Sequence, residues 1–182
     1  MGRIVKDINP DIESRVDPIE ILMKEHKEAL QYLKRLGDAS DRIKTHGFSF
    51  DAFSEIAEAI RYIDTEIRHH NEKEEKHLFP LMNSHVAGPS DVMRDEHREL
   101  WRAFNNLMES VKNVEELHIY PTTVKELIQD SKAIVDLLSN HIAKENDILF
   151  PMAKQVLTKE EYEQLGKNIA KDTLKFQREI SQ

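Results

Sequence analysis

Cysteine is absent from this chain of 182 residues, which excludes disulfide staples, thiolate zinc sites and cysteine-ligated iron–sulfur clusters. Any metal held by the chain must therefore use nitrogen and oxygen ligands. Glycine and proline are scarce, at five and six residues, so the turn chemistry that an all-β fold needs is missing and the composition favours helix. Basic charge is outnumbered: 26 Lys and Arg stand against 34 Asp and Glu, a formal net charge of -8. Phosphate backbones and anionic lipid surfaces repel such a chain, which argues against either as its main partner. No uncharged run approaches a membrane span, and the start Met1-Gly2-Arg3-Ile4-Val5-Lys6-Asp7 has no apolar core of signal-peptide length. These absences predict a cytoplasmic protein. With 39% hydrophobic residues, the length suits one compact domain.

What is present is an internal repeat. Slid by 71 residues, His26 falls on His97, His70 on His141, Glu74 on Glu145, and Leu78-Phe79-Pro80 on Leu149-Phe150-Pro151. The text around the first histidine agrees too, since Glu25-His26-Lys27-Glu28 returns as Glu96-His97-Arg98-Glu99. A single register over this length describes a duplicated two-helix unit. Five of the nine histidines, His46, His69, His77, His85 and His118, have no histidine at the shifted position. The repeat thus separates candidate ligands from bystanders.

The periodicity predicts four amphipathic helices. Asp17-Pro18-Ile19-Glu20 is a strong start, with an N-cap carboxylate, proline at the first helical position and Glu20 placed as in a capping box. Ile19, Leu22, His26, Leu30 and Leu33 then share one stripe. A loop is expected from Asp38 to Ser49, punctuated by Gly37 and Gly47. The second helix should run from about Phe50 to Met82 and carry Phe53, Ile56, Ile60, Ile63, Ile67, His70, Glu74 and Leu78 or Leu81. Pro89-Ser90-Asp91 opens a third with Met93, His97, Leu100, Phe104, Leu107 and Val111. A fourth, after Tyr120-Pro121-Thr122, carries Leu127, Ile134, Leu138, His141, Glu145 and Ile148. Thr158 and Glu161 form a capping box for a C-terminal helix whose Tyr162, Leu165, Ile169, Phe176 and Ile180 pack on the bundle or on a partner subunit. The expected organisation is all-α: an N-terminal arm (1–16), an antiparallel up-down four-helix bundle (17–157) and an extra C-terminal helix (158–182).

His70 with Glu74, and His141 with Glu145, are four residues apart, so each pair stacks on one helical face. With His26 and His97 from the other two helices, four imidazoles and two carboxylates converge on the buried stripes. Burying them without a cation would cost roughly 1–3 kcal/mol per unpaired polar group. Two metals fit better than one: His26 with His70 on one ion, His97 with His141 on the other, Glu74 and Glu145 bridging them beside a solvent-derived bridge. A ferritin-like site would need a Glu-x-x-His pair on each of two helices. Here Glu66-x-x-His69 and Glu74-x-x-His77 both lie on the second helix, and Ile148 stands where a partner for His77 would be. Fe, Mn or Zn are all compatible with His and Glu ligands.

The pattern His, His-x-x-x-Glu, His, His-x-x-x-Glu, with Leu-Phe-Pro after each Glu, resembles the hemerythrin-like HHE cation-binding domain over about Asp17 to Val156. That resemblance implies a hemerythrin-like four-helix bundle with a non-haem di-iron centre that meets O2, NO or peroxide. It also implies His26, His70, Glu74, His97, His141 and Glu145 as ligands. Oxygen-carrying hemerythrins place a second histidine where this chain has Trp101 and end in His-x-x-x-x-Asp. The His/Glu pattern is closer to iron–sulfur cluster repair di-iron proteins. Binding or reaction with a diatomic or peroxide ligand is the expected function, by a carrier or by an enzyme that consumes peroxide or NO. Iron donation to iron–sulfur repair, or iron and oxygen sensing through a protein partner, is the alternative.

His77 is placed near the same site, seven residues after His70, as a fifth nitrogen for one ion, a proton donor beside it, or a residue at the bundle end. His69 is expected at an interface edge or in solvent, and His46, His85 and His118 on the surface. Pro80 and Pro151 should kink or stop their helices just past the ligands. Trp101, Phe104, Leu100, Ile67 and Leu138 are expected to form a dry wall around the ions.

Overall fold

The computed structural model describes residues 17–180, so the expected arm (1–16) lies outside the described residues. The described residues form helices and their short links, and no strand occurs among them. Helix α1 spans Pro18–His46. Helix α2 runs over 50–85, its α-helical pieces Phe50–Tyr62, Arg68–Lys73 and Phe79–His85 joined by π turns at Ile63–Ile67 and Glu74–Leu78. Helix α3 spans Pro89–Glu115. Helix α4 covers 121–156, with Pro121–Lys144 and Phe150–Val156 joined by a π turn at Glu145–Leu149. Helix α5 spans Lys159–Ile180. Helix α1 packs along α2 and α4, and α3 along α4, while α5 lies against α1 and α2. No helix among the described residues is long and apolar enough to cross a membrane.

The ends follow from local chemistry. Asp17 caps α1 by accepting from the backbone N–H groups of Ile19 and Glu20 at 2.9 and 3.2 Å, and Pro18 occupies a first-turn position that needs no N–H. At α5, Thr158 and Glu161 exchange the two bonds of a capping box, at 2.8 and 3.2 Å.

Four expectations need correcting. The loop from Asp38 to Ser49 is instead mostly helix, because Leu36, Ala39 and Ile43 continue the buried stripe. That burial outweighs the roughly 1 kcal/mol that Gly37 costs within a helix, and α1 ends only at Gly47, whose φ of 88° is left-handed. Leu30 is 40% exposed, because Ala29 takes the inward position between His26 and Leu33. Ile148 is 57% exposed, and Leu149 is buried in its place. Finally, Pro80 and Pro151 do not stop their helices, which continue to His85 and Val156. A proline lacks an N–H and crowds the carbonyl four residues back. Here each lies just past a π turn, in which the N–H of Phe79 reaches the carbonyl of Glu74 and that of Phe150 reaches Glu145.

The apolar interior has two parts. One holds Leu33, Ile56, Ile67, Leu100, Phe104 and Leu138; the other holds Leu22, Leu78, Phe79, Met93, Phe150 and Leu165. On each of α1 to α4 the ligand-type histidine falls where the stripe passes from one part to the other: His26 after Leu22, His70 after Ile67, His97 after Met93, His141 after Leu138. The polar layer is thus clamped between two dry cores. Leu165 and Ile169 belong to the second, so α5 packs on its own chain.

Candidate metal centre

Glu74 and Glu145 are fully buried, at 0% exposure, and His26, His70, His97 and His141 are buried beside them. Their ligand atoms form two groups, one of His26, His70, Glu74 and Glu145, the other of Glu74, His97, His141 and Glu145. Within each group the atoms lie within 4.8 Å of one another. Both carboxylates belong to both groups, and their oxygens divide. Glu145 turns Oε2 toward His26 Nε2 at 3.2 Å and Oε1 toward His141 Nε2 at 3.2 Å. Glu74 turns Oε1 toward His70 Nε2 at 3.3 Å and Oε2 toward His97 Nε2 at 3.6 Å.

The outer side of every imidazole is already committed. His26 Nδ1 meets Asn146 Oδ1 at 2.9 Å, and His70 Nδ1 meets Glu25 Oε2 at 2.7 Å. His97 Nδ1 meets Glu75 Oε1 at 2.7 Å, and His141 Nδ1 meets Glu96 Oε2 at 3.0 Å. An amide or carboxylate oxygen only accepts, so each Nδ1 donates and each Nε2 points its lone pair inward. Those Nε2 atoms face one another, His26 to His70 at 2.9 Å and His97 to His141 at 3.0 Å. Two lone pairs hold this spacing only around a shared proton or a cation. About 3 Å is also the separation of adjacent ligand nitrogens at right angles around a cation with bonds of about 2.1 Å.

The electrostatics agree. Burial works against a charged His70, yet the Glu74 carboxylate and the bond to Glu25 raise its pKa to about 10. Burial likewise opposes charge on His141, and Glu145 raises it to about 9. Burial would raise the Glu145 carboxyl, but His141 and His26 hold it well below the carboxylate range. Without a cation, this nest draws in protons. All four oxygens of Glu74 and Glu145 lack a hydrogen-bond partner among the described residues. Leaving carboxylates so buried and unbonded is costly, and cations seated between the nitrogens would remove both the orphaned oxygens and the protons. The donor set therefore fits metal ions.

Phe150 stacks on His26 with ring centroids 5.3 Å apart, and Phe79 lies on His97 at 5.6 Å. Of the expected dry wall, Ile67, Leu100, Phe104 and Leu138 are buried. Trp101 is only half-buried, edge-on to Phe104 and covered by the Arg68 guanidinium at 4.1 Å.

The structure does not bring His77 into either group; its Nε2 meets Asp172 Oδ2 on α5 at 2.8 Å. His69 stacks on Phe176 at 4.1 Å. His46, His85 and His118 are exposed, and His85 pairs with Glu161 at 2.8 Å. Sequence reasoning passed over the backing residues Glu25, Glu75, Glu96 and Asn146, and also Lys73 and Lys144, which pair with Glu25 and Glu96. The repeat carried the signal for most of them. Glu25 shifts onto Glu96 and Lys73 onto Lys144, whereas Glu75 shifts onto Asn146, a change of residue type that the identities of the repeat do not mark.

Comparison with known proteins adds two findings. The hemerythrin HHE cation-binding domain model matches residues 17–153. The iron-sulfur cluster repair protein YtfE of Cronobacter sakazakii is 34% identical over 102 residues, which cover 54% of this chain and 46% of that protein. YtfE of Escherichia coli O139:H28 is 31% identical over the same length and shares. The chain thus spans about half the length of the curated relatives it matches.

Proposed function

This chain belongs to the hemerythrin HHE cation-binding domain family, and we propose on that premise that it binds two iron ions and engages a small ligand, O2, NO or peroxide, at an open iron position. The carrying observation is the division of the carboxylate oxygens, each Glu giving one oxygen to each histidine pair. His26 and His70 would hold one ion, His97 and His141 the other, with Glu74 and Glu145 across both and a solvent-derived bridge. Mn or Zn would suit the same donors. Iron held there would supply the electrons and the binding position for the small ligand. The chain's own residues do the rest. Glu25, Glu75, Glu96 and Asn146 fix the ring orientations, and Phe79, Phe150, Ile67, Leu100 and Leu138 exclude water. In the same reading, residues 17–157 form the unit, with α1 to α4 in an antiparallel up-down bundle that places His26 opposite Asn146 and His97 opposite Glu75.

A second reading is iron delivery to iron–sulfur cluster repair, or sensing through a protein partner. It is favoured by the likeness to iron-sulfur cluster repair proteins. One experiment separates the two readings and tests their shared basis. Metal analysis of protein purified from cells is coupled to its absorption spectrum before and after reduction and air exposure. About two irons per chain, with a spectrum that cycles reversibly or turns over peroxide or NO, supports the first reading. Iron that transfers to an apo-protein supports the second, and a protein that takes up no metal refutes both.

A further inference from the structure

The repeat lays the two halves of the centre over each other almost residue for residue, and one backing position breaks the match. Glu75 and Asn146 occupy the same place, 71 residues apart. Each crosses to the other half to hold an imidazole, Glu75 on His97 at 2.7 Å and Asn146 on His26 at 2.9 Å. One imidazole is therefore backed by a carboxylate and the other by a neutral amide. Hydrogen bonding to a carboxylate raises the basicity of a ligating histidine.

A second difference points the same way. Lys73 and Lys144 are also equivalent, and each pairs with the carboxylate behind a ligand, Glu25 for His70 and Glu96 for His141. Lys73 is only 1% exposed, held also at 3.4 Å from Thr173 of α5, whereas Lys144 is 49% exposed. A buried ammonium acts at nearly full strength, while an exposed one is screened by water. Behind the His26–His70 pair stand one carboxylate, one amide and an unscreened cation, which sum to no net charge. Behind the His97–His141 pair stand the Glu96 carboxylate, the Glu75 carboxylate, itself 44% exposed but bonded directly to His97 Nδ1 at 2.7 Å, and a screened cation.

We infer that Glu75 and Asn146 make the two cation positions unequal, the His97–His141 position binding its cation first and more tightly and the His26–His70 position exchanging it more readily. The inference rests on the two-cation reading above. It gives Glu75 a positioning and tuning role: Glu75 acts through His97 and does not touch the metal.

Stepwise titration of the full-length, metal-free chain with cobalt(II), followed by its visible absorption and by calorimetry, tests this. The wild type should show two resolved steps. Glu75→Gln keeps the shape and the acceptor but removes the charge, and should weaken the tighter step about 10–100-fold while leaving the looser step in place. Asn146→Asp should tighten the looser step. The double variant should bring the two steps together, because Lys73 still offsets one of the two carboxylates then behind the His26–His70 position. Adding His26→Ala to the wild type should remove the looser step and so assigns each step to its position. Two cobalt ions bound with a single constant by the wild type would overturn the inference while leaving the two-cation reading intact. So would loosening of both steps alike by Glu75→Gln with helicity by circular dichroism unchanged. A wild type that binds no cobalt overturns the two-cation reading itself.

Discussion

His77 and Ile148 hold the same position in the two halves of the repeat, yet His77 is half-buried against Asp172 and Ile148 stands 57% exposed. Asn71 and Ile142, again equivalent, are both buried, but neither polar atom of the Asn71 side chain finds a hydrogen-bond partner among the described residues. Lys73 is buried and Lys144 half exposed. The inward shell of four imidazoles and two carboxylates, by contrast, is matched throughout. The lesson is that duplication is preserved where side chains converge on one point and relaxed one layer out. Helix α5 accounts for much of the difference. It contacts α1 and α2, burying Lys73 beside Thr173 and drawing Lys76 and His77 onto Asp172 at 2.7 and 2.8 Å. Neither His77 nor Lys73 has a counterpart covered in this way.

The largest effect that would break the comparison comes from the shared carboxylates. Because each serves both histidine pairs, Glu74→Ala and Glu145→Ala should each empty the whole centre, from about two cations per chain to almost none. His26→Ala should leave one position filled. Elemental analysis of the purified variants decides this, and retention of one cation in Glu145→Ala would contradict the sharing. Next in size is the seat of α5. Leu165 is fully buried in the core part that also holds Leu22, Phe79 and Phe150. Leu165→Ala should therefore cost about 2–5 kcal/mol by urea unfolding, and it should raise amide exchange at Lys73 before Lys144.

A smaller effect is the pH dependence of the metal-free chain. His70 and His141 have folded-state pKa values raised to about 10 and about 9, above the ordinary histidine value of about 6.5. The stability they contribute is fully present below about pH 6.5 and is lost as pH rises through 9 and 10. Thermal melts of the chelated chain should fall over that window. Melts of the cation-loaded chain should not, because the cations have replaced the protons; they should instead fall on the acid side as cations leave. Smallest is His77→Ile, which copies the second half onto the first. Cation content should stay unchanged, with about 1 kcal/mol lost from the α5 contact. Loss of one cation in that variant would make His77 a ligand.

The fold was legible where the period was unambiguous. His97, Leu100, Phe104 and Leu107 are all buried on α3 as their spacing requires. The reading failed where a local signal competed with tertiary packing. Gly37 suggested a loop, but Leu36 and Ala39 are inward on α1 and carry the helix across it. It failed also at the π turns: a fixed 3.6-residue period put Ile148 inward, and the wider turn at Glu145–Leu149 hands that position to Leu149. Convergence of the six ligand-type residues was legible because the repeat isolates them. Their backing shell was harder to see, since Glu25, Glu75 and Asn146 reach across between helices, and a periodic pattern on one helix says nothing of its neighbour. The difference between Lys73 and Lys144 depends on α5, whose packing face lies outside the repeat altogether.

The most direct test of the central claim is anomalous diffraction at the metal edge from crystals of the cation-loaded chain. The account predicts two peaks about 3.5–4 Å apart, one between the Nε2 atoms of His26 and His70 and one between those of His97 and His141, with Glu74 and Glu145 spanning both. A single peak, or peaks away from these six side chains, would contradict it.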